Sequence, residues 1–177
     1  MASKIDVVRI DYPKRWFAMG TVVWVITTVA LFYLASTTKE DFVRWTWYIA
    51  GALVGIFLGL FFAPPLFTHN IAGEKSFRIK MGLLADVTIP YTWIRRIRET
   101  SVRWGGVRVG IGVRYAPLTK TLFATTEFAD LVALKLDGPH VMGRILKRQV
   151  AEVVLSASNM QGFIELISKR AGIEPEA

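Results

Sequence analysis

Two stretches of this chain cannot be housed in a small water-facing core. Trp16–Ala35 (WFAMGTVVWVITTVALFYLA) is 20 residues without a charge, and Trp45–Phe67 (WTWYIAGALVGIFLGLFFAPPLF) is 23 more. As helices each reaches roughly 30 Å or more, the thickness of a bilayer hydrocarbon core. Only Ser36–Arg44 (STTKEDFVR) lies between them. A segment in lipid must satisfy its own backbone, so the pattern predicts two antiparallel transmembrane helices joined by a nine-residue polar turn. A cleaved signal peptide is disfavoured for the first stretch, which is long for a signal core and is followed by no small-residue cleavage site.

The flanks agree. Trp16, Trp45, Trp47 and Tyr48 lie at span ends, where amphipathic rings favour the headgroup region. Gly51, Gly55 and Gly59 recur every four residues and form one small-residue ridge for close helix packing, within the hairpin or with a partner. Pro64 and Pro65 are expected to end the second helix. Four basic residues precede the first span (Lys4, Arg9, Lys14, Arg15), two lie in the turn (Lys39, Arg44) and 16 follow the second. That bias predicts an inner, cytoplasmic membrane protein with both termini cytoplasmic. The expected division is an N-terminal cytoplasmic segment 1–15, a hairpin 16–68, a cytoplasmic domain 70–172 and a tail 173–177.

Residues 70–177 carry 16 basic and 10 acidic side chains, and are numerous enough for one small core. Phe77, Ile79, Met81 and Leu83 alternate with Arg78, Lys80 and Gly82, a strand pattern over Phe77–Leu83. Val107–Tyr115 alternates likewise after a Gly105-Gly106 turn. Shorter strands are expected at Asp86–Ile89, Ile94–Thr100, Thr121–Thr125, Leu131–Leu136 and Glu152–Ala157, with turns at Ala116-Pro117 and Asp137-Gly138-Pro139. The period then changes. Met160, Phe163, Ile164 and Ile167 make one helical stripe, with Ser158 and Gln161 as a capping box. Lys169 and Arg170 suit the helix end, and Gly172 suits the stop. About seven strands followed by one helix is not a βαβ order, so a parallel nucleotide-binding sheet is disfavoured. The fold class is a membrane α-helical hairpin plus an α+β, mainly β, domain: a bent antiparallel sheet or open barrel closed by a C-terminal helix.

FRIKMGLL (77–84), VTIPYTWIRRIRE (87–99), GVRVGIGVRY (106–115) and EVVLSASNMQGFIELISKR (152–170) together resemble the bacterial pleckstrin-homology-like (PH-like) domain, in membrane proteins with a two-helix hairpin before it. The resemblance implies a PH-like fold and no defined catalytic motif. One departure matters. The loop after the first strand is typically basic in lipid-binding pleckstrin domains, whereas here Leu83-Leu84-Ala85-Asp86 holds no cation, which argues against an inositol-phosphate ligand.

Arg95, Arg96, Arg98, Arg103 and Arg108, with Arg144, Lys147 and Arg148, are the candidate basic face, facing an anionic leaflet, acidic protein or plain solvent. Nucleic acid fits poorly, since no groove-reading motif is visible. His69 and His140 have no ligand-spaced partner in sequence and read as polar residues at a helix exit and in a turn. Gly110 and Gly112 lack the third glycine and following helix of a phosphate loop, and read instead as relief of crowding at a bend. Cysteine is absent. No catalytic constellation, metal site or cofactor is expected, and neither span carries a charge for an ion pathway. These observations lead to a non-catalytic scaffold or accessory subunit of a larger membrane complex, such as an energy-transducing one, with integral membrane partners. The alternative is a membrane-surface sensor that binds anionic lipid through its basic domain.

Overall fold

The computed structural model describes residues 7–83, 85–100, 103–104, 107–108, 111–127, 131–143 and 147–175. The chain divides into two compact units. One is the helical stretch Lys14–Phe67; the other joins the segment up to Pro13 with everything from Thr68 onward.

The helical unit is α1 (Arg15–Thr37) and α2 (Asp41–Phe67), both long and apolar enough to cross a membrane. Most of their large apolar side chains stand exposed, among them Val22, Ile26, Leu53, Ile56 and Phe57. The connection is shorter than the sequence pattern predicts. Ser36 and Thr37 donate their hydroxyls back to the carbonyl of Tyr33 (2.7 and 3.2 Å), which carries α1 two residues past the apolar run. Asp41 begins α2 and pairs with Arg44 at 2.5 Å, so only Thr38–Glu40 remain between the helices. Pro64 and Pro65 do not end α2. Both lie inside its last turn, where the missing N–H donors concern only the carbonyls of Leu60 and Phe61, four residues back.

The β-rich unit contains two larger sheets. The first has the order β1 (Val8–Ile10), β2 (Asn70–Ala72), β3 (Ser76–Met81), β4 (Ala85–Pro90), antiparallel throughout. Phe77 faces Ile89 across the β3–β4 ladder, Ile79 faces Val87 and Met81 faces Ala85, all buried. Phe77, Ile79 and Met81 of the alternation read in the sequence are therefore the core-facing face of β3, but the strand ends at Met81, and Leu83, expected on the same face, is exposed in the turn that follows. β1 was not legible in the sequence: three residues with one arginine carry no periodic signal. It pairs with β2 through Val8–Ala72 and Ile10–Asn70, so the hairpin is an insertion between two paired strands. Residues 8–13 belong to the β-rich unit, whose second part begins at Thr68, two residues before the sequence-based boundary.

After a single 3₁₀ turn (Tyr91–Trp93) come β5 (Ile94–Thr100), a small ribbon of β6 (Arg103–Trp104) and β7 (Val107–Arg108), then β8 (Gly112–Ala116), β9 (Thr121–Thr125), β10 (Leu131–Met142) and β11 (Arg148–Ser156). The second sheet has the order β5-β10-β11-β9-β8. It is not wholly antiparallel, because β9 and β11 run parallel, Thr121 beside Glu152 through Ala124 beside Leu155. The strand expected over Val107–Tyr115 is divided into β7 and β8. Gly112 opens β8 at φ +117°, a conformation that side chains rarely adopt. Asp137-Gly138-Pro139 is not a hairpin turn. It lies inside β10, where the register jumps from Lys135–Glu152 to His140–Val150, an extended bulge that keeps the strand running.

α3 (Met160–Ala171) buries Phe163, Ile164 and Ile167, the stripe seen in the sequence. The Phe163 ring meets Phe77 edge-on at 5.2 Å. The cap is Asn159, one residue later than expected: its Oδ1 accepts from the Gly162 N–H at 3.0 Å. Gln161, expected to complete a capping box, instead donates to Glu99 of β5. Gly172 ends α3 in the left-handed conformation, as its position implies. Arg170 donates to the Gly73 carbonyl, which also accepts from Tyr91 Oη at 3.0 Å. Burial, opposed by Arg170, raises the Tyr91 phenol above its ordinary range.

Candidate functional site

The glycine ridge is used inside the hairpin. A methyl group placed on Gly51 would lie 3.4 Å from Leu31 and Phe32, on Gly55 3.3 Å from Thr28, and on Gly59 2.9 Å from Trp24. Trp24 also donates its indole N–H to the Gly55 carbonyl at 2.9 Å. From α1, Gly20 lies against the Phe62 ring in the same way. Of the two readings of the ridge, packing against α1 is the one the structure shows. Gly51→Ala is therefore expected to leave the hairpin intact. Gly59→Leu should displace Trp24, break its hydrogen bond and lower the detergent-melting temperature of the hairpin, read by Trp fluorescence. Equal melting of the two variants would refute this packing.

The described basic candidates are spread over β5, the β6–β7 ribbon and the start of β11. Arg96 and Arg98 point to the same side of the second sheet as Glu152, since Arg96 is opposite Lys135, Lys135 opposite Glu152, and Arg98 two residues along. Arg98 pairs with Glu152 at 3.4 Å, and Thr121 donates to the other carboxylate oxygen at 3.4 Å. Arg95 sits at the irregularity where β5 leaves register with β10, and its charge acts on Asp137. Lys147 and Arg148 are exposed at the start of β11. The Arg148 guanidinium lies 5.8 Å from the Tyr115 ring centre, and Tyr115 Oη donates to the Gln149 carbonyl at 2.6 Å. Arg103 and Arg108 are opposite one another in the β6–β7 ribbon. Arg144 falls outside the described residues.

Each histidine has a carboxylate partner that was not apparent in the sequence. His69 Nδ1 is 2.6 Å from Asp11 Oδ1. This contact needs β1 beside β2, which brings residues 58 apart in sequence together. His140 Nε2 is 2.6 Å from Asp137 Oδ1. Residues three apart on a regular strand face opposite ways; the bulge turns them toward each other. The His140 ring stacks flat on Trp93, centroids 3.8 Å apart and planes at 2°. The hydrogen bond from His140 is the main cause holding the Asp137 carboxyl below its ordinary range, with the charge of Arg95 adding to it.

Beside this cluster is a groove of about 350 Å³ lined by Arg78, Asp86, Thr88, Trp93, Val141, Met142 and Gly143. Arg78 and Asp86 are diagonal neighbours on β3 and β4, and the guanidinium grips the carboxylate through two bonds of 2.7 and 2.6 Å. That grip raises the Arg78 pKa. The groove offers an indole face, a threonine hydroxyl and an ion pair already satisfied, groups suited to holding a side chain or small polar molecule. Sequence reasoning missed it because its lining comes from three separated segments; the only local signal was Arg78 and Asp86 flanking one short turn. Among the described residues, no three His, Asp or Glu side chains converge to hold a metal ion. No protein-family model, characterised protein or solved structure matches this chain.

Proposed function

We propose that this protein is a non-catalytic accessory subunit: α1 and α2 anchor it in a membrane, and the β-rich unit holds another component of a larger membrane complex. The observation that carries the reading is the hairpin. Two helices with the length of a bilayer core present apolar side chains around most of their outer surface, which lipid or other spans must cover. The unit outside the hairpin is attached through both of its strands β1 and β2. Their pairing supports an even number of crossings, with residues 8–10 and 70–72 on one side of the membrane. The basic bias of these flanks assigns that side to the cytoplasm. A reporter fused after residue 177 is expected to be active only in its cytoplasmic form; activity only outside would overturn the orientation.

We read the β-rich unit as a modified PH-like domain. Support comes from the antiparallel β1–β4 sheet, the presence of a second, five-stranded sheet, and the terminal helix whose Phe163 joins Phe77. The parallel β9–β11 pair is a departure from that plan.

Arg96 and Arg98, on one side of the second sheet with Glu152, are the cations we assign to the partner. Their replacement by glutamate should release the partner from material extracted in mild detergent, without lowering the amount of protein in the membrane. Native electrophoresis and mass spectrometry read this. Migration of the unaltered protein as a lone monomer in every extract would sink the proposal.

A further inference from the structure

We propose that the groove beside Trp93 is a strand-addition site: an extended, uncharged segment of the partner lies in it and pairs through its backbone with β4. The inference rests on reading this protein as an accessory subunit, and adds to it a contact that the β-rich unit makes.

β4 is the last strand of the first sheet, and among the described residues no strand lies on its outer side. The ladder fixes which of its backbone groups turn outward. The Tyr91 N–H donates to the Lys75 carbonyl at 3.1 Å, one step beyond the Ser76–Pro90 pair. Bonded and non-bonded pairs alternate along an antiparallel ladder. Ser76–Pro90 and Arg78–Thr88 are therefore non-bonded pairs, and Thr88 directs its N–H and C=O away from β3. Pro90 has the same phase, where an edge strand tolerates a missing donor. Thr88 lines the groove, and so do Val141 and Met142 at the end of β10. That end lies past Leu136, the last residue of β10 paired with β5, so among the described residues it has a strand on its β11 side alone. Two strand edges thus border one groove of about 350 Å³. A donor and an acceptor on one edge residue are matched by another extended backbone, as when a peptide joins a sheet. The charged groups of the groove, Arg78 and Asp86, are bonded to each other. The incoming side chains then meet the Trp93 indole and Val141, which is 63% exposed. An uncharged, apolar segment is complementary to both.

The test replaces Val141 of the full chain by the photo-cross-linker p-benzoylphenylalanine and irradiates native membranes. The expected result is one cross-linked product whose attachment maps to a run of uncharged residues in another protein. Its yield should fall several-fold with Thr88→Pro and stay unchanged with Thr88→Val, which keeps the N–H. Thr88→Pro removes an outward donor, so the β3–β4 ladder is retained. Should its melting in detergent show an unfolded β-rich unit, Val141→Asp takes its place and is expected to release the partner from mild-detergent extracts. Equal yields from Thr88→Pro and Thr88→Val, a cross-link to a second copy of this chain or to no protein, or full retention of the partner by Val141→Asp overturns the groove assignment. If Arg96→Glu with Arg98→Glu still releases the partner in that case, the accessory-subunit reading stands and the groove contact alone is wrong. A lone monomer in every extract removes both.

Discussion

Joining Tyr12 to Thr68 through an Asn-Gly pair, in place of residues 13–67, is expected to yield a domain that stays in solution without detergent and melts cooperatively. The register that sets Ile10 opposite Asn70 and Val8 opposite Ala72 extends to Asp11 beside His69 and Tyr12 beside Thr68, both pairs joined by side-chain contacts. The hairpin therefore occupies the place of a two-residue β-turn, and Asn-Gly matches the twist of such a connection. The comparison is a fragment beginning at Asn70. It lacks β1 and the buried Tyr12, whose phenol is pushed upward chiefly by burial. Loss of a buried aromatic costs about 3–5 kcal/mol, so the fragment should melt at least about 10 °C lower or fail to fold. Equal stability of the two would show that β1 is dispensable and the insertion reading mistaken.

Phe77→Ala is expected to be the most damaging single change in the β-rich unit. Phe77 has no exposed surface and closes on Phe163, so it links the first sheet to α3. Truncation removes both the transfer energy and the ring contact, about 3–5 kcal/mol. A domain of this size has about 5–15 kcal/mol in all. Phe163→Ala should cost a similar amount, and the double variant less than the sum by about 0.5–1.5 kcal/mol, the coupling of an edge-on pair. Leu118→Ala is the reference, with a change within about 0.5 kcal/mol because its side chain is in solvent. Urea unfolding of the Asn-Gly-linked domain measures all four. If Phe77→Ala unfolds at the urea midpoint of Leu118→Ala, the assigned core is wrong.

These expectations alter how the basic residues are understood. As a run in sequence, Arg95, Arg96 and Arg98 suggest one cationic surface. On β5 they separate, because a strand sends alternate side chains to opposite faces and the irregularity beside Lys135 falls at Arg95, whose charge acts on Asp137. Glu152, a residue that composition counts only as an opposing charge, becomes the acceptor to which Arg98 is held. The groove beside Trp93 and the Asp137–His140 pair arise the same way, from a bulge that no local pattern announced.

Local chemistry was enough for part of this molecule. Two uncharged runs of bilayer length specify helices wherever they lie, because the backbone has no other way to be satisfied in lipid. Periods of 2 and 3.6 identify β3 and α3 because the buried face repeats with the geometry of the element itself. Tertiary structure alone decided the remainder: that the glycine ridge closes on Trp24 and Thr28, that β9 runs parallel to β11, and that the hairpin interrupts a strand pair. Each depends on residues tens of positions apart meeting in one place. A three-residue strand such as β1 has no periodicity to display and exists only because β2 supplies its hydrogen bonds.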